Sequence, residues 1–182
     1  MQLLLTHYSK IYWRAKSIHF LQKMKDVALF AFSTSSSAAT IPVTLRTVNQ
    51  DLGVNQNVAS FVVPVGATIN MDGTAIMQGL ATVFIAQMSG IDLTLFQYIQ
   101  VVLLAVATSI GTAAVPSAGT ITLIIILQQF NLPLEAIGII LAVDRVLDMI
   151  RTSVNVTGDA AIACIVAKTE NQLDEDIFNS KA

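Results

Sequence analysis

The segment DRVLDMIRTSVNVTGD, residues 144–159, sets three carboxylates, two guanidiniums and an asparagine into a stretch otherwise suited to lipid or to a membrane-protein core. An ionisable side chain near a bilayer centre costs roughly 2.5–3.5 kcal/mol even on the lenient insertion scale, so such a helix must turn its charges toward a partner or an ion. At about 100° per residue, Asp144, Asp148, Arg151, Thr152, Asn155 and Asp159 fall within an arc of roughly 100°. Ile139, Ile140, Val143, Leu147, Ile150 and Val154 spread largely over the rest of the surface. The competing reading is a soluble helix with a solvated face.

Composition decides between them. The chain has 182 residues, 54% hydrophobic and 12% charged, whereas a typical soluble domain carries about 25% charged residues. It reads as a membrane protein. The net charge of −2 gives no sign of nucleic acid as a partner, and a single cysteine, Cys164, rules out a disulfide within the chain. The opening MQLLLTHYSK has a three-leucine core, shorter than the roughly 7–15 apolar residues of a signal peptide, so no cleaved leader is expected. Lys10, Arg14, Lys16, Lys23, Lys25 and Arg46 precede the long apolar region, Lys168 and Lys181 follow it, and residues 47–143 contain neither lysine nor arginine. By the positive-inside rule both ends are expected to be cytoplasmic, with an even number of crossings between them.

A spanning helix needs about 20 residues. Segment 58–88 is long enough but is interrupted by Gly66, Asn70 and Gly73, which predicts two half-helices around an unwound centre at NMDGT, residues 70–74. Segment 134–168 is expected to cross in one piece. Between them, 95–108 and 118–130 are each too short to span and flank SIGTAAVPS, residues 109–117, as a re-entrant hairpin from outside would. A weaker copy lies upstream: a short apolar arm at 27–32, a tip STSSSAATIP at 33–42, and a polar returning arm at 43–51. The expected fold is an all-α membrane protein with two opposed re-entrant helical hairpins and two transmembrane helices. Its divisions are a basic segment at 1–22, the inner hairpin at 23–52, the broken helix at 53–90, the outer hairpin at 91–132, the polar-striped helix at 133–169, and a disordered acidic tail at 170–182. Broken helices meeting at midplane mark a transporter's binding site.

The tips and the break supply the chemistry. Serines 33 and 35–37 with Thr34, and Pro116 with Ser117, each precede a returning helix. Free backbone N–H groups and the positive end of a helix dipole there favour a carboxylate, although simple capping uses the same residues. NMDGT offers freed carbonyls, the Asn70 amide, the Asp72 carboxylate, the Met71 sulfur and the Thr74 hydroxyl. Hard cations take oxygen ligands of this kind. Asp72, Asp144, Asp148 and Asp159 face only Arg145 and Arg151, an excess of two negative charges that bound cations would offset.

SSSAATIP, NMDGT, SIGTAAVPSAG and DMIRTSVNVTGD, in that order, resemble the C-terminal transport domain of the sodium-coupled glutamate/aspartate transporters, the dicarboxylate/amino acid:cation symporter family. The likeness runs from about residue 23 to 170. It implies that Arg151 forks onto the side-chain carboxylate of the substrate, a bidentate contact suited to a guanidinium. It implies that Asp148 holds the amino group, with Ser36, Ser37, Thr74, Ala113, Ala114, Val115, Gly119, Thr152 and Asn155 completing the cradle. One Na⁺ is implied at Gly66, Asn70, Asn155 and Asp159, a second at Thr68, Met71, Ser109, Ile110 and Thr112 beneath the outer hairpin, and Asp72 with Asn70 matches part of a third. There are departures. The family's second arginine is replaced by Ser35 and Met149, leaving Arg145 as the substitute, and Gln78 stands where proton-coupled members carry glutamate.

The function expected is therefore sodium-coupled symport of aspartate or glutamate by alternating access in the cell membrane, not enzymatic turnover. Membrane lipid and, in the complete protein, a homotrimer are the implied partners. The family's scaffold helices have no counterpart here, so the chain is expected to be part of a transporter, and an inert fragment is one alternative. Neutral amino acid or C4-dicarboxylate transport is the nearest rival, opposed by Arg151 in the first case and by Asp148 with Asn155 in the second. An intramembrane serine enzyme would need a base, yet His7 and His19 lie in the basic segment. They are expected to be interfacial, as are Tyr8, Tyr12 and Trp13.

Overall fold

The computed structural model describes residues 17–180, so the expectations for His7, Tyr8, Tyr12 and Trp13 lie outside the described residues. Helices follow one another as α1 (Ser17–Lys23), α2 (Lys25–Thr34), α3 (Ser37–Gln50), α4 (Gln56–Ile69), α5 (Asp72–Met88), α6 (Leu95–Ile110), α7 (Ala118–Gln129), α8 (Ile137–Thr169, entered through a 3-10 turn at Leu134–Ala136) and α9 (Glu175–Asn179). Among the described residues there is no strand beyond a single antiparallel bridge between Val54 and Leu173. The fold is all-α, as expected.

Helices α2 and α3 form one hairpin. The hydroxyls of Ser33 and Thr34 donate to the carbonyls of Leu29 and Phe30 at 2.9 and 3.0 Å, ending α2. Ser35 then turns left-handed (φ 50°), and Ser36 is extended and accepts from the Ala39 N–H at 3.2 Å. The tip is thus two residues wide, not the ten of 33–42. A serine cap, Ser36, starts α3 nearly two turns ahead of Pro42, which sits inside the helix and forgoes one internal hydrogen bond. The second hairpin pairs α6 with α7; Thr94 and Gln97 open α6 with a capping box.

The break between α4 and α5 is also narrow. Only Asn70 and Met71 leave the helix, and Asp72, Gly73 and Thr74 already belong to the first turn of α5.

Helix α8, 33 residues long, is the axis against which α2, α3, α4, α5 and, more lightly, α7 pack. Its C-terminal half presents Val156, Ala160, Ala163, Cys164 and Ala167 to an apolar cluster with Val27, Ala31, Val58, Ala59 and Val63. Its N-terminal end joins a second cluster through Ile140, against Met77, Ile85, Leu123 and Leu127. Between the clusters lies the polar stripe, and it faces inward. Asp144, Asp148, Arg151, Thr152, Asn155 and Asp159 are all buried, while Ile139, Val143, Ile150 and Val154 are 44–51% exposed. Ile140, on the margin of the stripe, is buried with it.

No helix among the described residues is both long and apolar enough to cross a membrane. Segment 134–168 is continuous, as expected, but the buried charges of α8 dilute its hydropathy, and α5 and α6 have 17 and 16 residues. The acidic tail departs from expectation: residues 170–180 are ordered against the body of the protein, with Phe178 2% exposed in the first cluster.

Candidate functional site

Five pieces of backbone converge on the polar stripe: the inner tip (35–37), the α4/α5 break, the outer tip (112–115), the start of α7, and α8. They bound a cavity of about 10 Å³ lined by Ser35, Ser37, Met71, Thr74, Thr112, Ala113, Ala114, Val115, Gly119, Asp148, Arg151, Thr152 and Asn155. All the sequence-expected cradle residues line it except Ser36. Ser36 instead ties the tips together, its hydroxyl donating to the Ala114 carbonyl at 2.9 Å, where the Ala38 N–H also donates at 3.3 Å.

The charged centre is a pair. Arg151 donates through Nη2 to Oδ1 of Asp148, both buried, three residues apart on α8. The other Asp148 oxygen accepts the Ser117 N–H at 2.7 Å. A carboxylate does occupy the amide pocket expected ahead of α7, but it is the protein's own. Gly119 packs so closely on Arg151 that a Cβ there would overlap the guanidinium. Among the described residues, two buried side-chain polar atoms have no hydrogen-bond partner, Ser35 Oγ and Arg151 Nη1, and both residues line this cavity. An unpaired buried donor on a charged group is costly, and the cost is recovered when an acceptor arrives.

Asn155 braces the start of α5: its Oδ1 accepts the Gly73 N–H at 2.8 Å and its amide donates to Thr74 Oγ1 at 3.2 Å. One turn farther along α8, the Asn70 amide donates to Asp159 Oδ1 at 3.1 Å, and the Asn70 N–H donates to the Gly66 carbonyl at 2.7 Å. Gly66 is required there, because a Cβ would lie 2.6 Å from Asp159 Oδ1. Gly66, Asn70 and Asp159 are therefore brought together. The second set is less concentrated. Thr112 and Ser109 adjoin, with the Thr112 N–H donating to the Ser109 carbonyl at 3.1 Å, and Met71 and Thr112 line the cavity, but Thr68 is exposed and bonds within its own helix. Ile110 is 48% exposed and Asp72 half-buried. Among the described residues no three of His, Cys, Asp and Glu gather as a metal-binding group, so a cation here would depend on carbonyl and amide oxygens with one carboxylate.

Arg145 is exposed and does not line the cavity. On the helical wheel it lies about 100° from Asp144, just beyond the stripe, a signal already present in the spacing. Asp144 is instead bonded by the Thr120 hydroxyl, a contact between buried groups. Among the described residues three buried carboxylates, Asp144, Asp148 and Asp159, face the one buried guanidinium of Arg151, an excess of two along the stripe that the buried Lys23, at the base of the inner hairpin, reduces to one over the interior as a whole.

Sequence reasoning missed the role of Gln78. It is fully buried and clamps both arms of the outer hairpin, donating to the Gly119 carbonyl at 3.1 Å and to Thr122 Oγ1 at 2.6 Å while accepting from Thr108 Oγ1 at 2.9 Å. Thr112 and Thr122 close the network, hydroxyl to hydroxyl, at 3.0 Å. The threonines at 108, 112, 120 and 122 in otherwise apolar arms were its only trace.

The model of the Sodium:dicarboxylate symporter family matches residues 1–169. The chain is 52% identical over 178 residues to Excitatory amino acid transporter 2 of Mus musculus, covering 92% of the chain and 31% of that protein. It is 47% identical over 147 residues to an Excitatory amino acid transporter of Caenorhabditis elegans, covering 81% of the chain and 29% of the relative. The chain thus spans about three tenths of the length of these curated relatives. With a matched region that takes in both hairpins, the broken helix and the polar stripe, the chain belongs to the sodium:dicarboxylate symporter family.

Proposed function

We propose that this chain is the binding core of a sodium-coupled symporter for acidic amino acids, aspartate or glutamate. The observation that carries the proposal is the state of Arg151: one arm pinned to Asp148, the other buried, unpaired and on a cavity bounded by both hairpin tips. Such a fork accepts a second carboxylate at the free arm, and the Asp148 oxygens suit the substrate's ammonium group. The names of the relatives, excitatory amino acid transporters, support the same substrate class. The excess interior negative charge is offset by Na⁺, with Gly66, Asn70 and Asp159 as the best-gathered donors. Substrate and Na⁺ each lower the cost of binding the other, and that coupling is reciprocal.

The cavity as folded is too small for an amino acid, so the tips must part. The Ser36–Ala114 contact breaks as the outer tip lifts and reforms on closure. The inward polar stripe and the outward Ile139, Val143, Ile150 and Val154 suit a protein in lipid. In this reading the hairpins are re-entrant from opposite faces, segments 53–90 and 133–169 cross, both termini are cytoplasmic, and the complete protein works as a trimer.

The test is Arg151→Cys in a full-length transporter carrying this segment. Counter-flow with labelled aspartate, serine and succinate is expected to show aspartate exchange falling by about two orders of magnitude or more, in line with about 3–5 kcal/mol for breaking a buried pair, with serine exchange gained. Unchanged aspartate affinity would overturn the assignment.

A further inference from the structure

The acidic segment after α8 makes contacts that the cavity does not need. Asn171 turns left-handed (φ 56°), and Gln172 N–H donates back to the Ala167 carbonyl at 2.7 Å, reversing the chain. Asn55 N–H then donates to the Gln172 carbonyl at 3.0 Å and Asp174 N–H to the Gly53 carbonyl at 2.8 Å, flanking the Val54–Leu173 bridge. Gly53 has φ +72°, and a Cβ there would overlap the Asp174 carbonyl.

Lys23 completes the junction. Nearly buried at 8% exposure, its ammonium donates to the carbonyls of Asp51 at 2.8 Å, Ile177 at 2.8 Å and Phe178 at 3.2 Å, and to Ser180 Oγ at 3.3 Å. It thereby bonds the end of α9 and the end of α3 at once. His19 Nε2 meets the Ser180 carbonyl at 2.6 Å. Phe178 sits in the cluster that holds Phe20, Met24 and Leu52. Both open ends of the inner hairpin, near residues 19–24 and 51–55, are thus fastened to the end of α8.

The base of the outer hairpin is built differently. Its backbone bonds there are local: the N–H groups of Ile91, Phe130 and Leu132 donate to the carbonyls of Ala86, Ile126 and Leu127.

We infer that residues 170–180 are a strap that makes the inner hairpin and α8 one rigid body, and that undocking the strap frees the inner hairpin to open. The inference does not depend on what the cavity binds, and its test uses no transport readout.

Amide hydrogen exchange on the full chain in detergent measures it. In Phe178→Ala, residues 24–52 are expected to exchange about tenfold faster or more, with the outer hairpin, 95–129, unchanged. A disulfide supplies the reverse test. Val54 and Leu173 form a non-hydrogen-bonded antiparallel pair, for which Cα atoms lie about 4.5 Å apart, within disulfide range. Val54→Cys with Leu173→Cys, in a Cys164→Ala background, is expected to oxidise and to restore protection of 24–52 to Phe178→Ala, reversibly with reductant. Full protection of 24–52 while 172–180 exchanges freely would overturn the strap. So would equal acceleration of both hairpins that the disulfide fails to rescue, or a pair of cysteines that does not oxidise.

Discussion

The two hairpins meet tip to tip but are held by different forces. The inner one is held by apolar packing, with Val27 and Ala31 fully buried against the small residues of α8 and the Ser153 hydroxyl donating to the Ala28 carbonyl at 2.9 Å. The outer one is held near the cavity by polar bonds: Ser117 to Asp148, Thr120 to Asp144, and the Gln78 clamp. Apolar burial is unconditional, whereas a bond to a carboxylate can be exchanged for one to a ligand's ammonium group or to a cation. On the proposed function the outer hairpin is therefore the part expected to answer to the contents of the cavity, with the inner one as its wall while the strap stays docked.

That contrast can be attacked at its strongest point first. Met24 is 1% exposed within the inner cluster, and Met24→Ala is expected to cost about 2–5 kcal/mol. A thermal melt in detergent should show it as a fall in the midpoint of the whole chain; a midpoint within a degree or so of the parent would mean that the inner packing is looser than described.

Gln78→Leu sharpens the other side. Removing its three bonds is expected to cost about 1–3 kcal/mol, appearing mainly as faster amide exchange in residues 108–122 while 24–52 keeps its protection. If the inner hairpin loosened equally, the two could not be called separately held.

The smallest effect is expected for Lys168→Ala, which removes an ion pair with Glu175 whose side chains are 46% and 50% exposed. Such pairs are worth at most about 1 kcal/mol and weaken with salt. Melting curves at low and high ionic strength check this: a large, salt-independent loss would shift the strap's anchorage from Lys23 and Phe178 to Lys168.

Much of this was legible in the residue order. Two apolar arms of about a dozen residues around a hydroxyl- and glycine-bearing tip announce the outer hairpin, a shorter apolar arm before a serine run announces the inner one, and Asn70 in an apolar run announces the broken helix. The stripe on α8 follows from spacing alone, even to the exclusion of Arg145. Other features were not legible. The expected tip ran through Pro42, but the Ser36 cap prevailed, because a proline six residues into a helix removes one bond whereas a cap satisfies an otherwise orphaned donor. The segment 170–180 is polar enough to suggest disorder, and one phenylalanine with a buried lysine 155 residues away reverses that. Gln78 was noticed for what it is not, a glutamate, before its clamp could be seen.

Residue order by itself determined which side chains share a face, since the helical repeat is a local property of the backbone and needs no partner. Only the tertiary structure decided which donor each buried acid takes. Asp148 takes Ser117 and Arg151, Asp144 takes Thr120, and Asp159 takes Asn70. Apart from Arg151 with Asp148, these partners lie 24 to 89 residues apart. Their pairing depends on how close the folded chain brings them, and no periodicity encodes that distance.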